Sequence, residues 1–329
     1  MKTKKFTSIE RSTLRFLDVD ARTKFTKVGK ETRQSQQRVH YTVNSMLEAS
    51  IIQNFYTLID YAKLDVLNFR VYFKVSYAEE QKIEELIDFL IKEPHSAKIE
   101  TCGGRYDLFC SFFAYNPSQF NKILRSIMEK FPAQLQNYMV LTTIVSRHFG
   151  RKYMFDVRYP EDQLFVGGDR EPENPDEIDI GILKELSQDA RKNSVRIGKA
   201  VGISSKSVIE RIRKLEKNGI ILGFKPLLDL PKIGYKSAKI SISYHNVSSE
   251  AEENLIEYLR FHNNVVFITK TLGEWNLEID VEAENTAELR RIEIEIRQKF
   301  ALLIKEIESI PIYHVYKRNY FPEFVIQKD

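Results

Sequence analysis

Residues 189–224 read "DARKNSVRIGKAVGISSKSVIERIRKLEKNGIILGF", and how this run folds decides how the rest of the chain is understood. From Ser204 to Ile221 it carries five Lys or Arg and two Glu, with an apolar residue at nearly every third or fourth position. That spacing predicts an amphipathic helix, and a charged helix taken alone is most often a solvated face. The flanks say more. Ser204 stands where an N-cap belongs, Ile203 before it can staple to Val208, and Gly219 supplies a C-terminal stop. Val208, Ile212 and Leu215 form an i, i+4, i+7 stripe for burial. Upstream, "EIDIGILKELSQDA" places Ile178, Ile182, Leu183 and Leu186 on one helical stripe, and "SVRIGKAVGI" makes a short second helix ending near Gly202. Downstream, "IILGFKPLLDL" and "SAKISISYHN" read as short strands around "PKIGY", a wing and an exit strand.

Three short helices with a tight Gly-containing turn before the last, followed by a wing, describe a winged helix-turn-helix. In that arrangement the third helix enters the major groove of double-stranded DNA with its N-terminal residues toward the base edges. Ser205, Lys206 and Ser207 occupy its first exposed turn, and Arg211, Lys214 and Lys217 continue along the outer side. Ser and Lys hydrogen-bond to bases, while Arg and Lys neutralise phosphates whose counterions are then released.

The chain is written twice. Shifted by 169 residues, Asp20-Ala21-Arg22 falls on Asp189-Ala190-Arg191, Gly29-Lys30 on Gly198-Lys199 and Ser35 on Ser204. The same register holds onward: Ile51-Ile52 meets Ile220-Ile221, Phe55 meets Phe224, Gly104 meets Gly273, Leu108 meets Leu277 and Phe131 meets Phe300. A unit of this length is a fused domain pair rather than a solenoid repeat. After its helix-turn-helix the second copy reads strand 236–245, helix 249–262, strands 264–271 and 274–283, helix 286–300 and strand 305–316. This β-α-β-β-α-β order is the ferredoxin-like unit, an antiparallel sheet with helices on one face and the other face left for a partner sheet. The expected fold is therefore α+β: two tandem copies of a winged helix-turn-helix followed by a ferredoxin-like domain. The boundaries are 1–66 and 67–155 for the first copy, a linker at 156–177 rich in Pro, Gly and charge, and 178–235 and 236–322 for the second. The bare sheet faces predict pairing, within the chain as an intrachain pseudo-dimer or between chains as a homo-oligomer.

Composition narrows the classes. Net charge is +4 over 329 residues, but residues 1–50 carry +6 and residues 176–225 carry +4, leaving −6 for the remainder. Two basic blocks on an acidic remainder point to two contacts with a polyanion. The start "MKTKKFTSIE" has no apolar run behind it and no later stretch approaches a membrane span, so a cytoplasmic protein without membrane insertion is expected. Cys102 and Cys110 are the only cysteines, too few for a disulfide framework. The six His are scattered without metal-ligand spacing, no phosphate-loop or hydrolase motif is present, and neither a cofactor nor a metal is expected.

With these motifs in place, the module resembles the Lrp/AsnC family of transcription regulators. The residues that carry the resemblance are the opening run together with the Gly-centred turns "GGRYDL" (103–108) and "LGEWNL" (272–277). It implies a DNA-binding regulator without catalytic activity, with paired ferredoxin-like domains that in many members bind an amino-acid effector. Gly103 and Gly104 would then offer backbone N–H groups to an effector carboxylate and Asp107 would take its ammonium, with Gly273 as the equivalent turn and Asn276 in place of Asp107. The first copy departs from the pattern. Arg211, Arg213 and Lys214 become Thr42, Asn44 and Ser45, while Gly202, Ile203 and Gly219 become Arg33, Gln34 and Ser50. Staple, turn glycine and C-cap are expected to be lost there, yet Gln36, Gln37 and Arg38 open its third helix: either its glutamines pair with adenine edges and it reads a different sequence, or it has drifted toward non-specific phosphate contact. Two rivals follow from the same residues. One is a metabolite-sensing or assembly protein that keeps the helices as scaffold. The other is an enzyme like the two-lobed siroheme decarboxylases similar to this family, although "IILGFKPLLDL" after Gly219 has no matching His/Arg run.

Overall fold

The computed structural model describes residues 6–77, 79–155, 164–245 and 248–327, so residues 156–163 of the expected linker lie outside the described residues. In chain order the first copy runs α1 (Ser8–Val19), α2 (Phe25–Thr32), α3 (Gln36–Glu48), β1 (Ile52–Ile59), β2 (Leu67–Val75), α4 (Glu80–Lys92), β3 (Ser96–Cys102), β4 (Leu108–Ala114), α5 (Pro117–Lys130) and β5 (Leu135–His148). A short helix α6 (Lys152–Phe155) and strand β6 (Leu164–Gly167) follow. The second copy repeats the order as α7 (Glu177–Gln188), α8 (Ser194–Val201), α9 (Ser205–Lys217), β7 (Ile221–Leu228), β8 (Lys236–Tyr244), α10 (Ser249–Phe261), β9 (Val265–Leu272), β10 (Leu277–Ala283), α11 (Thr286–Lys299) and β11 (Ile304–Arg318). Like packs with like: one compact unit gathers both helix-turn-helices and another gathers both ferredoxin-like halves.

In the first unit each helical triplet closes over its own small core, built from Leu14, Leu17, Val39, Val43 and Met46 in one copy and Ile182, Leu183, Ile197, Val208 and Leu215 in the other. The third helices are capped alike. Ser35 Oγ accepts from Arg38 N and Ser204 Oγ from Ser207 N, both at 3.1 Å. The wing is where the structure differs from the sequence expectation. β7 makes no hairpin with β8; it pairs antiparallel with β1 of the other copy, Tyr56 opposite Lys225. A lone strand leaves its backbone donors and acceptors unmet, and the twin offers a complementary ladder. Tyr56 and Lys225 are themselves mates at the 169-residue offset, so a local two-fold axis passes between them.

Backbone bonds repeat about that axis. Ala21 N–H donates to Phe224 O at 2.9 Å and Ala190 N–H to Phe55 O at 3.0 Å. Asp60 N–H donates to Ile220 O and Asp229 N–H to Ile51 O, each at 2.9 Å. Arg22 Nη1 donates to Ala190 O at 2.6 Å and Lys192 O at 3.2 Å, and its mate Arg191 donates to Ala21 O and Thr23 O. Each copy thus clamps the turn that precedes the other copy's second helix.

The turns expected to be lost in the first copy persist. Arg33 and Ser50 adopt φ of 55° and 51°, the left-handed backbone that Gly202 and Gly219 take at 76° and 73°. A residue with a Cβ is held there at a cost of roughly 1–2 kcal/mol. Arg33→Gly and Ser50→Gly should each raise stability, by up to about 1 kcal/mol once glycine's greater unfolded-state freedom is subtracted. A urea midpoint that moves down in both variants would contradict this.

The second unit is an eight-strand ring. Its sheet runs β2-β4-β3-β11-β8-β10-β9-β5-β6, and β2 also pairs with β5, which closes the first eight strands on themselves. The bare faces of the two ferredoxin-like halves therefore cover each other, with β3–β11 and β5–β9 as the seams. Alternation along the strands sends Val71, Phe73, Leu108 and Cys110 outward under α4 and α5, and Ile240, Ile242, Leu277 and Ile279 outward under α10 and α11. Tyr72, Phe109, Leu141, Trp275 and Ile310 fill the inside. Trp275 packs edge-on against Tyr72 with ring centroids 5.2 Å apart.

The inside also holds buried charge. Arg70 pairs with Glu278, which Tyr72 also bonds; Lys239 Nζ lies 2.9 Å from Asp280 and 3.2 Å from Glu100; Arg318 lies 2.9 Å from Glu100. Arg70, Lys239 and Arg318 thus match Glu100, Glu278 and Asp280. Among the described residues Lys98 makes no ion pair. Its Nζ sits over the rings of Phe267 and Tyr320 at 5.3 and 5.2 Å, and burial, with Arg318 and Lys239 nearby, pushes it from 10.5 down to about 7. The folded state favours the neutral amine, so this group's contribution to stability is fully present above about pH 10.5, falls as pH drops to about 7 and levels off below. Lys98→Met removes that loss. Its stability advantage over the parent should grow by on the order of 4 kcal/mol between pH 10 and pH 7 in urea titrations, and a gap independent of pH would contradict it.

Candidate nucleic-acid interface

Helix α9 turns Val208, Ile212 and Leu215 inward and leaves Lys206, Arg213, Lys214 and Lys217 exposed. Of the first-turn residues, Lys206 is the one in the open. Ser205 is half-buried with its Oγ 2.8 Å from Ser194 Oγ, and Ser207 Oγ is 2.9 Å from Ser204 Oγ. Hydroxyls in such pairs keep acceptor capacity, so both still border the exposed turn.

Arg211 stands elsewhere than its place in the sequence implies. Its Nη1 donates to Asp176 at 2.7–2.8 Å and to Asp179 at 2.7 Å. Asp176 is the N-cap of α7, and Asp179 sits buried in that helix's first turn. The guanidinium beside them lies above its ordinary value through its bonds to Asp179 and then Asp176. This residue fastens α9 to α7, a role that its expected place among the groove-facing phosphate contacts does not include. Arg213, which the helix-start pattern does not single out, takes that exposed position instead. A period of 3.6 places both residues near the polar boundary, and only the position of α7 separates them.

On α3 the exposed residues include Gln36, Gln37, Arg38, His40, Tyr41 and Asn44. The expected trio Gln36, Gln37 and Arg38 therefore lies together on the first turn, with the Arg38 guanidinium 6.0 Å from the Tyr41 ring centre. Gly29 and Gly198 make the crossing of second and third helices possible in both copies. A Cβ on them would fall 2.6 Å from Gln34 O and 2.5 Å from Ile203 O, on backbone that cannot yield.

The Gly-centred turns are largely used by the fold. Gly103 N–H donates to Pro311 O at 2.9 Å, and the Asp107 carboxylate takes Val75 N–H at 2.9 Å and Lys74 Nζ at 3.0 Å. In the other half Asn276 Oδ1 takes Tyr244 N–H at 2.9 Å. Val75 and Tyr244 are mates at the 169-residue offset, so Asp107 and Asn276 do the same work, closing the end of a strand, and an uncharged amide serves as well as a carboxylate. The expectation that Gly103 and Asp107 offer free groups to an effector is thereby corrected. Gly104 and Gly273 remain exposed, and Arg105 and Glu274 beside them form an ion pair. Burial pushes Cys102 up to about 12, and Cys110 is also raised by burial, so neither thiol has thiolate character near neutral pH. Among the described residues no group of three or more His, Cys, Asp or Glu could hold a metal ion, and no helix is long and apolar enough to cross a membrane.

Residues 176–216, from the Asp176 cap through most of α9, match the AsnC-type helix-turn-helix domain. Over 126 residues the chain is 33% identical to an uncharacterised HTH-type transcriptional regulator of Pyrococcus horikoshii, covering 38% of this chain and 83% of that protein. The chain belongs to the Lrp/AsnC family. The regulatory protein AsnC of Haemophilus influenzae is 31% identical over 136 residues, 41% of this chain and 87% of its own. Each relative is nearly spent on less than half of this member, as expected when one of two copies is matched. Among solved structures the siroheme decarboxylase NirDL aligns over 98% of both chains with a TM-score of 0.60 and 15% identity, a likeness of fold along the whole length.

For this Lrp/AsnC member, Arg211 gives a clean test of structural against DNA-facing cations. Arg211→Ala leaves Asp179 buried without its partner and should cost roughly 2 kcal/mol of stability. The salt dependence of DNA binding by the folded variant should be unchanged. A stable variant with a shallower salt slope would reverse the assignment.

Proposed function

We propose that this chain is a cytoplasmic DNA-binding transcription regulator whose main duplex contact is the outer face of α9. The observation that carries the proposal is the exposed row of Lys206, Arg213, Lys214 and Lys217 on a helix set at its N-terminus by Ser204 and tied to its neighbour by Arg211. Phosphate contacts by such a row dominate affinity and make it depend on salt. The names of the relatives, transcription regulators, support the same conclusion. In fluorescence anisotropy, Lys214→Ala should weaken binding across all sequences and reduce the slope of log affinity against log salt by about 1. A parent that binds with no salt dependence would overturn the proposal.

The amino-acid response that the family resemblance implies is assigned to the exposed turn pair at Gly104 and Gly273. Calorimetric titration with the common amino acids tests it, with a Gly273→Val variant as control. A second reading has the whole-length fold likeness to a siroheme decarboxylase in its favour, and that protein was also solved with an iron-uroporphyrin III analogue. Against it, the one cation of β7, Lys225, spends its ammonium on Asp18 O at 2.7 Å and Val19 O at 3.1 Å. Addition of an iron-uroporphyrin should leave the tetrapyrrole absorbance band unshifted; a saturable shift would favour the enzyme.

A further inference from the structure

The two third helices are held alike and dressed differently. The β1–β7 ladder, the Arg22 and Arg191 clamps and the four crossed backbone bonds repeat about one local axis, so α3 and α9 occupy equivalent places in the unit. Their caps are equivalent as well. Their outer faces share almost no chemistry. At mated positions Lys206 faces Gln37, Arg213 faces Asn44, Lys214 faces Ser45 and Lys217 faces Glu48. Among exposed residues α9 shows four Lys or Arg against two Glu, while on α3 Arg38 and Glu48 cancel.

We infer that this regulator recognises a non-palindromic operator, two adjacent half-sites of different sequence read by one chain. The inference rests on the DNA-binding reading above and adds its target. Under α9, Lys206 and Arg213 suit the O6 and N7 acceptors of guanine, and the remaining cations hold phosphate. Under α3, the side-chain amides of Gln36, Gln37 and Asn44 suit the N6 and N7 edge of adenine, with a weaker phosphate hold. A symmetric dimer of identical helices reads matching half-sites, because operator symmetry follows protein symmetry. Here the framework is symmetric and the reading surfaces are not, so the half-sites differ in sequence while keeping the spacing that the framework sets.

Selection from random duplex DNA with the full chain tests this, followed by the same selection with two surface variants. The parent should enrich a two-part site that is not an inverted repeat. Gln37→Ala with Asn44→Ala should lose about tenfold in discrimination at one half only, leaving the other half intact. Gln37→Lys with Asn44→Arg, Ser45→Lys and Glu48→Lys gives α3 the cations of α9 and should convert the enriched site toward an inverted repeat. A palindromic parent site, or a site with one specified half, overturns the inference and leaves the DNA-binding reading standing. No enrichment together with no salt-dependent binding removes both.

Discussion

Each copy of the repeat is incomplete, and the other copy completes it. β1 and β7 are single strands with no hairpin partner of their own, and each finds its ladder in the twin, Tyr56 opposite Lys225. Each ferredoxin-like sheet likewise has one face under helices and one bare, and the two bare faces close into a ring of eight strands. An unpaired strand and an uncovered apolar face both expose groups that fold only against a complement. The β1–β7 ladder fixes where the third helices stand relative to each other.

Pairing within one chain also frees the copies to diverge. Inside the ring three ion pairs run between copies, Arg70 to Glu278 and Lys239 and Arg318 to Glu100, while Lys239 to Asp280 stays within the second copy. The positions matching Glu278, Asp280 and Glu100 are Phe109, Ser111 and Thr269, so the acids are not duplicated. Two first copies paired together would set Arg70 against the Phe109 position, and two second copies would deprive Arg318 of Glu100, although Lys239 would keep Asp280. Breaking a buried ion pair leaves an uncompensated charge, which is strongly destabilising. The interior therefore specifies the unlike pairing, and the reading surfaces diverge over the same framework.

Much of this was legible in the residues. The 169-residue register, the Ser204 cap, the Val208-Ile212-Leu215 stripe and the β-α-β-β-α-β order follow from local periodicity and punctuation, and the structure has them at nearly the expected bounds. What escaped depends on partners far along the chain. Nothing in "IILGFKPLLDL" says that its strand will leave "SAKISISYHN" for the segment at Ile52–Ile59. Arg211 reads as a groove residue until Asp176 and Asp179 are placed beside it. Asp107 reads as a ligand group until Val75 and Lys74 claim it. Arg33 and Ser50 read as lost turns because residue type predicts backbone preference, whereas the surrounding fold enforces the backbone itself.

On the proposal that each third helix reads one half-site, one chain is a complete two-headed DNA reader. Hydroxyl-radical footprinting at stoichiometric protein, with the number of chains per duplex counted by sedimentation, tests it most directly. The proposal predicts two protected segments for a single bound chain. One protected segment per chain, with a second chain needed to protect the other, would contradict it.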